Sequence, residues 1–189
     1  MKVLILGATG GTGRQLVAQA RSAGHEVTAF DRHAGTALAD AMAGRDAVIS
    51  AIGRGKSFTS HNVIAQSVPV ILSAMKAAGV RRLIFMSALG VGESFRDSPI
   101  LAKLFFRTLL RGIYADKAIG DQLIRGSDLD WTIVQPSQLT DGPLTGTYRF
   151  GERLKMSGMP QISRADTAQF IVRQLGDPAN VRKTPIISY

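Results

Sequence analysis

Residues 7–14 read GATGGTGR, and they directly follow an apolar run, KVLIL, at residues 2–6. The apolar run predicts a buried strand, and the helical spacing over residues 12–23 predicts a helix directly after the glycines. A turn of this kind presents backbone N–H groups at the positive end of a helix dipole. The stretch therefore predicts an anion site at the start of the chain.

Three of the four glycines of this turn have a predicted role. Gly7 permits a sharp exit from the strand, Gly10 lets a pyrophosphate approach the main chain, and Gly13 lets the helix pack against the sheet. Glycine turns also occur without a ligand, but in a first strand–helix–strand unit the pattern favours a dinucleotide. The predicted cofactor-binding residues here are Gly7, Thr9, Gly10, Gly11, Thr12, Gly13 and Arg14.

The composition is that of a globular chain. The 189 residues are 45% hydrophobic and 20% charged, and no apolar run approaches the roughly 18 residues of a membrane span. The first apolar run breaks at Gly7, too early for a signal peptide, and the chain has no cysteine. We expect one domain, no membrane span and a cytoplasmic location.

The net charge of +9 fits a nucleic acid, an anionic membrane surface or a phosphate-rich ligand. The basic residues are spread from Lys2 to Lys183 without a block, which favours a solvated basic surface and no nucleic-acid partner. The three histidines are dispersed and have no cluster of carboxylates beside them. We assign no metal site.

Apolar runs alternate with segments of helical spacing along the chain. Continuously apolar strands of this kind predict an α/β fold with a doubly wound parallel sheet in a single domain, 1–189. The region 137–162 has no clear period and is predicted to be loops. We expect substrate loops at about 88–113 and 137–162. The predicted strands are 2–6, 26–30, 47–52, 82–87, 131–134 and 185–188, and the predicted helices are 12–23, 36–43, 63–78, 100–110, 114–124 and one starting at Ser163.

Five blocks resemble, in wording and in order, the NAD(P)H-binding atypical short-chain dehydrogenase/reductase family. The resemblance implies a Rossmann-like fold and a nicotinamide cofactor. The family includes flavin/biliverdin-type reductases and relatives that only sense the cofactor. The blocks are GATGGTGR, AVISAIG, LIFMSALGVG, YADKAIGDQLIRGSDLDWTIVQPSQLTDGPLTG and ISRADTAQFIVRQL.

The end of the second strand, AFDRH, bears on the choice of cofactor. An acid there accepts the ribose 2′-OH of NAD, whereas an arginine receives the 2′-phosphate of NADP, and this chain has both Asp31 and Arg32. Similar proteins usually carry an arginine at the position of Arg32, and Arg14 adds a second cation. We expect NADP(H), with NAD(H) as the alternative.

The segment after the second strand is short for the family. Relatives usually have a helix and a third strand there, but only 16 residues separate Phe30 from Ala47. We therefore expect the usual third strand to be missing from the sheet edge. In the family's numbering the order becomes 2-1-4-5-6 plus a C-terminal strand.

In such a sheet the ligand lies at the carboxyl ends of the strands. This places Ile52, Gly53 and Pro136 beside the cofactor and Ser87 near the reacting ring. The resemblance gives Ser87 the place of the serine that orients a substrate carbonyl or a flavin. The alternative is that its hydroxyl only satisfies a backbone group.

Short-chain dehydrogenases of the usual kind pair a tyrosine with a lysine four residues later, and the lysine lowers the tyrosine pKa. Here Tyr114 and Lys117 are three residues apart, on one helical face but off the usual pattern. Lys117 also belongs to the block shared with relatives. Both residues are candidate catalytic groups.

The resemblance implies an NAD(P)H-dependent oxidoreductase that reduces a small planar acceptor such as flavin or quinone. The first alternative is a non-catalytic NADP(H) sensor that acts through a protein partner. A sugar-nucleotide or isoprenoid-modifying enzyme ranks last. We expect a monomer or a homodimer.

Overall fold

A computed structural model describes residues 1–30, 38–53, 62–92, 94 and 111–189. Helices and strands alternate through most of this part of the chain. The helices are α1 (Gly11–Ser22), α2 (Leu38–Met42), α3 (Val63–Ala78), α4 (Arg111–Arg125) and α5 (Arg164–Arg173). The strands are β1 (Lys2–Leu6), β2 (Glu26–Phe30), β3 (Ala47–Ser50), β4 (Arg82–Met86), β5 (Asp130–Pro136), β6 (Gln138–Thr140), β7 (Arg149–Gly151), β8 (Gln161–Ser163) and β9 (Ile186–Ser188).

A seven-stranded sheet forms the centre, in the order β2-β1-β3-β4-β5-β9-β7. Its first six strands are parallel, and β7 closes the edge antiparallel to β9. The predicted fold class and strand order are confirmed. Among the described residues, no strand pairs with the outer side of β2, as the short segment after Phe30 predicts.

Alternate residues of the strands feed two separate cores. Val3 and Ile5 of β1 point to one face, which α1 and α5 cover, whereas Leu4 and Leu6 point to the other, which α2, α3 and α4 cover. Both faces of the sheet are therefore buried under helices, which explains why its strands are apolar throughout rather than alternating.

The amino ends of α3 and α5 are capped by side chains. Asp116 of α4 accepts hydrogen bonds from the N–H groups of Ile64 (3.1 Å) and Ala65 (2.8 Å), so one helix caps another. Ser163 caps α5 through a bond from the Asp166 N–H to its Oγ, at 2.9 Å. The predicted start of α5 is thus confirmed.

The prediction that residues 137–162 are loops is wrong in part. Three short strands lie there: β6 pairs with β8 in a separate two-stranded parallel sheet, and β7 pairs with β9. Each strand has only three residues, and its register depends on a partner that is distant in the sequence. No hydrophobic period in the local sequence therefore indicates these strands. The predicted helix 100–110 lies outside the described residues.

Candidate cofactor and active site

The carboxyl ends of four central strands finish level with one another. Leu6 pairs with Ser50, Ser50 with Phe85, and Phe85 with Ile133, which forms a straight row across β1, β3, β4 and β5. The segments that follow this row therefore emerge on one edge of the sheet. That edge carries nearly all of the predicted site residues.

The glycine turn follows β1 and is built from backbone contacts. Gly7 has φ +76°. It lies so close to the residue after β3 that a Cβ on Gly7 would be 2.8 Å from the Ala51 carbonyl oxygen. The Gly10 N–H donates to the Gly7 carbonyl at 3.2 Å. A Cβ on Gly13 would overlap the backbone of Gly7 and Ala8. Neither position has room for a side chain, and the positive φ of Gly7 fits the sharp exit from β1 that the sequence predicts.

The amino end of α1 suits an anion. Its N-cap, Gly10, provides no side-chain cap, and its first turn contains no acid. The first N–H groups of a helix have no partner inside the helix, and here no side chain of the described residues takes that place. A phosphate fits this end because it would meet free donors and the positive end of the helix dipole.

Three further residues of the turn are placed differently. Thr9 is exposed at the turn, whereas Thr12 is buried beneath it. Arg14 is exposed, and its guanidinium folds back to donate to the Thr9 carbonyl at 2.7 Å. Arg14 therefore holds a positive charge beside the open helix end, while Thr12 contributes to packing.

The end of β4 carries a buried polar cluster, two strand positions from β1 and so about 10 Å across the sheet. The Ser87 hydroxyl donates to Asp121 Oδ2 at 2.9 Å, and the Gln135 amide lies 3.5 Å from the same oxygen. All three side chains are at most 4% exposed. The hydroxyl of Ser87 thus binds a carboxylate, contrary to the alternative that it satisfies a backbone group.

Asp121 is the titratable member of this cluster. Burial raises its pKa to about 6, although the Ser87 hydrogen bond and the charges of Lys117 and Arg125 act to lower it. Its second oxygen, Oδ1, is buried without a partner among the described residues, as is Gln135 Oε1. A carboxyl group in this setting can hold a proton near neutral pH.

Tyr114 and Lys117 lie on α4, the helix that presents Asp121. Burial raises the pKa of Tyr114, which is opposite to the lowering that a tyrosine–lysine pair requires. Lys117 acts on Asp121, one helical turn further along. The geometry thus connects Lys117 with Asp121.

The remaining predicted residues are found at the same edge, with one exception. Ile52 and Gly53 follow β3, and Pro136 ends β5, where its carbonyl accepts from the Leu89 N–H at 2.9 Å. Gly53 is exposed, and a side chain there would meet none of the described residues within 4 Å. Arg32 lies outside the described residues.

Two residues of the buried cluster were not predicted from the sequence. Asp121 lies four residues after Lys117, so the shared helical face was a usable signal. Gln135 carries no such signal, since its place depends on the pairing of β5 with β4.

None of the helices in the described part of the chain combines the length and apolar character that a membrane crossing demands. Within the same ranges, no three His, Asp or Glu side chains come together as a set of metal ligands.

The sequence profile of the NAD(P)H-binding family matches residues 34–178, and the chain belongs to this family. The matched range begins after the glycine turn, so the assignment of that turn depends on its own geometry.

Named relatives cover nearly the whole chain. The UPF0659 protein YMR090W of Saccharomyces cerevisiae is 30% identical, over 97% of this chain and 91% of the yeast protein. A Streptococcus pneumoniae structure, named as a candidate NADH-flavin reductase, is 25% identical with a TM-score of 0.81 and covers 100% of this chain and 99% of its own. The anaerobilin reductase ChuY of Escherichia coli O157:H7 shares the fold, with a TM-score of 0.76 and 22% identity over 99% of this chain and 96% of its own.

Proposed function

We propose that the protein is an NAD(P)H-dependent oxidoreductase that reduces a small planar acceptor such as flavin or quinone. The observation that carries the proposal is the uncapped amino end of α1 at the carboxyl edge of the sheet. The family match and the reductase names of two structural relatives support it. A bound nicotinamide would supply a hydride.

Two regions of the chain would contribute, one by binding the cofactor and the other by orienting the acceptor. The N–H groups at the start of α1 would hold a phosphate, with Gly7 and Gly13 keeping the turn tight. Ser87 would orient the acceptor. Because its proton is committed to the Asp121 carboxylate, Ser87 can donate to an acceptor only when Asp121 is itself protonated.

Turnover tests this proposal. Purified protein should oxidise NADPH in the presence of at least one acceptor from a panel of flavins and quinones, and Ser87→Ala should lower turnover while leaving cofactor affinity nearly unchanged. Cofactor binding without oxidation by any acceptor would overturn the enzymatic proposal.

That outcome would favour a second candidate, an NADP(H) sensor that acts through a protein partner. Two observations support the sensor: Ser87 is only 3% exposed, and burial raises the pKa of Tyr114, so neither presents a ready acid to a substrate. A sensor would bind NADPH and change its affinity for the partner without consuming the cofactor.

We further propose a preference for NADP(H), with Arg32 and Arg14 as the cations for the 2′-phosphate. The exposed guanidinium of Arg14 at the turn supports this. Arg32→Ala should lower the affinity for NADPH and leave that for NADH unchanged, whereas an unchanged ratio of the two affinities would contradict the assignment. A cytoplasmic location and a monomeric or homodimeric state complete the proposal.

A further inference from the structure

The absence of a side chain at Gly11 makes room for an arginine. Gly11 is not one of the three glycines that shape the turn, yet a Cβ there would lie 2.9 Å from both Cδ and Nε of Arg164. Arg164 is the first residue of α5, which packs along α1. Its side chain therefore crosses the amino end of α1.

This arginine is paired with a carboxylate. Arg164 Nη1 lies 2.6 Å from Asp141 Oδ1, and the side chains are 29% and 89% exposed, respectively. Their positions are fixed by the small sheet, because Thr140 at the end of β6 pairs with Ser163 at the end of β8 and each charged residue comes next in the chain. The cation is thus held in place, while its partner extends into solvent.

The electrostatics of this corner favour an anion from outside. The full positive charge of Arg164 and the partial positive charge at the start of α1 lie together at Gly11 and repel each other. Asp141 relieves this repulsion, but its side chain is largely exposed, and a solvent-screened ion pair is weak and gives way readily to a more highly charged partner. A phosphate could accept from the guanidinium and the helix N–H groups together.

We propose that Arg164 binds the pyrophosphate of the cofactor and that the Asp141 carboxylate occupies its guanidinium until the cofactor displaces it. The inference depends on the proposed function, since it assumes a nicotinamide dinucleotide at the α1 turn. It adds a cation from the far end of the chain to the phosphate-binding turn of residues 7–14.

An equilibrium titration followed by cofactor fluorescence tests the proposal. Arg164→Gln should weaken NADPH and NADH by a similar factor, about tenfold, because both contain the pyrophosphate. Asp141→Asn should tighten both by about threefold because the competing carboxylate is gone, and the double variant should behave like Arg164→Gln. Arg173→Gln removes the same charge from the last turn of α5 and should change neither affinity.

The outcomes separate this inference from the proposed function. Binding by the wild type with unchanged affinity in Arg164→Gln would overturn the inference alone, and so would a loss confined to NADPH, which would assign Arg164 to the 2′-phosphate. Failure of the wild type to bind either cofactor would overturn both. If Arg164→Gln does not fold, Asp141→Asn provides the test. Unchanged cofactor affinity in Asp141→Asn would contradict the proposed competition between the Asp141 carboxylate and the cofactor.

Discussion

The amino ends of α1 and α3 are built in opposite ways. Two N–H groups of α3 are bonded to the buried Asp116 carboxylate, whereas α1 has no side-chain cap and no acid in its first turn. Both helices follow parallel strands of the same sheet. The difference indicates that α3 is closed for stability, whereas the first N–H groups of α1 have no side-chain acceptor among the described residues and would be open to the phosphate of the proposed cofactor.

The largest expected effect comes from closing α1. Gly10 has φ −69° and ψ 167°, which any residue adopts, so Gly10→Asp can cap the helix from inside the chain. Its carboxylate would occupy the phosphate position and lower NADPH affinity at least about 100-fold. A gain in helix stability of about 0.5 kcal/mol should accompany this loss.

Gly10→Asn provides the control for that variant. It caps the helix without adding a charge, so it should stabilise the fold to a similar degree and weaken binding less. Full NADPH affinity in Gly10→Asp would show that the open end of α1 is not the phosphate site.

Removing the side-chain cap of α3 should lower the stability of the fold, whereas closing α1 should raise it. Asp116→Ala leaves the buried N–H of Ile64 and the part-buried N–H of Ala65 without their acceptor, at a cost of about 2–4 kcal/mol in the free energy of unfolding. Urea denaturation measures this loss, and Asp128→Ala, at an exposed site after α4, should cost under about 0.5 kcal/mol. A stability loss below 1 kcal/mol in Asp116→Ala would contradict the capping role.

Asp121, on the same helix as Asp116, should make stability depend on pH. Its pKa in the folded protein, about 6, is above the ordinary value of 3.8, so the folded state binds more protons between these values. The contribution of Asp121 to stability is therefore complete below about pH 4 and is lost as pH rises through 6. Asp121→Asn stays neutral and should be more stable relative to wild type at pH 8 than at pH 4, by about 1–3 kcal/mol. A difference that does not vary with pH would show that Asp121 titrates normally.

The sequence predicted the α1 region much better than the Ser87 region. The glycine turn is largely local: Gly10 and Gly13 contact the backbone of Gly7 and Ala8, so the glycine spacing carries most of the information, and only the contact of Gly7 with Ala51 is distant in the sequence. The Ser87–Asp121 bond joins residues 34 positions apart, and it exists only because β4, β5 and α4 pack together. The sequence spacing was enough to identify Ser87 and Lys117 as candidate residues, but not Asp121, whose carboxylate accepts the Ser87 hydrogen bond.

The same contrast between local and long-range contacts explains where the other predictions succeeded and where they failed. Long apolar strands and α3, whose predicted bounds were 63–78, carry their signal in their own residues. The three-residue strands after Pro136 and the Arg164–Asp141 pair depend on partners more than 20 residues away. Predictions from one sequence succeed where structure is local and fail where it depends on distant contacts.

The most direct test is an NMR titration of isotope-labelled protein with NADPH and NADH, following the backbone amides of α1 and α3. We expect saturable binding of both cofactors, with the largest shifts at Gly11, Thr12 and Gly13 and little change at Ile64 and Ala65, whose donors are already occupied. Saturable binding that leaves the amides of α1 unchanged, or no binding of either cofactor, would contradict the account.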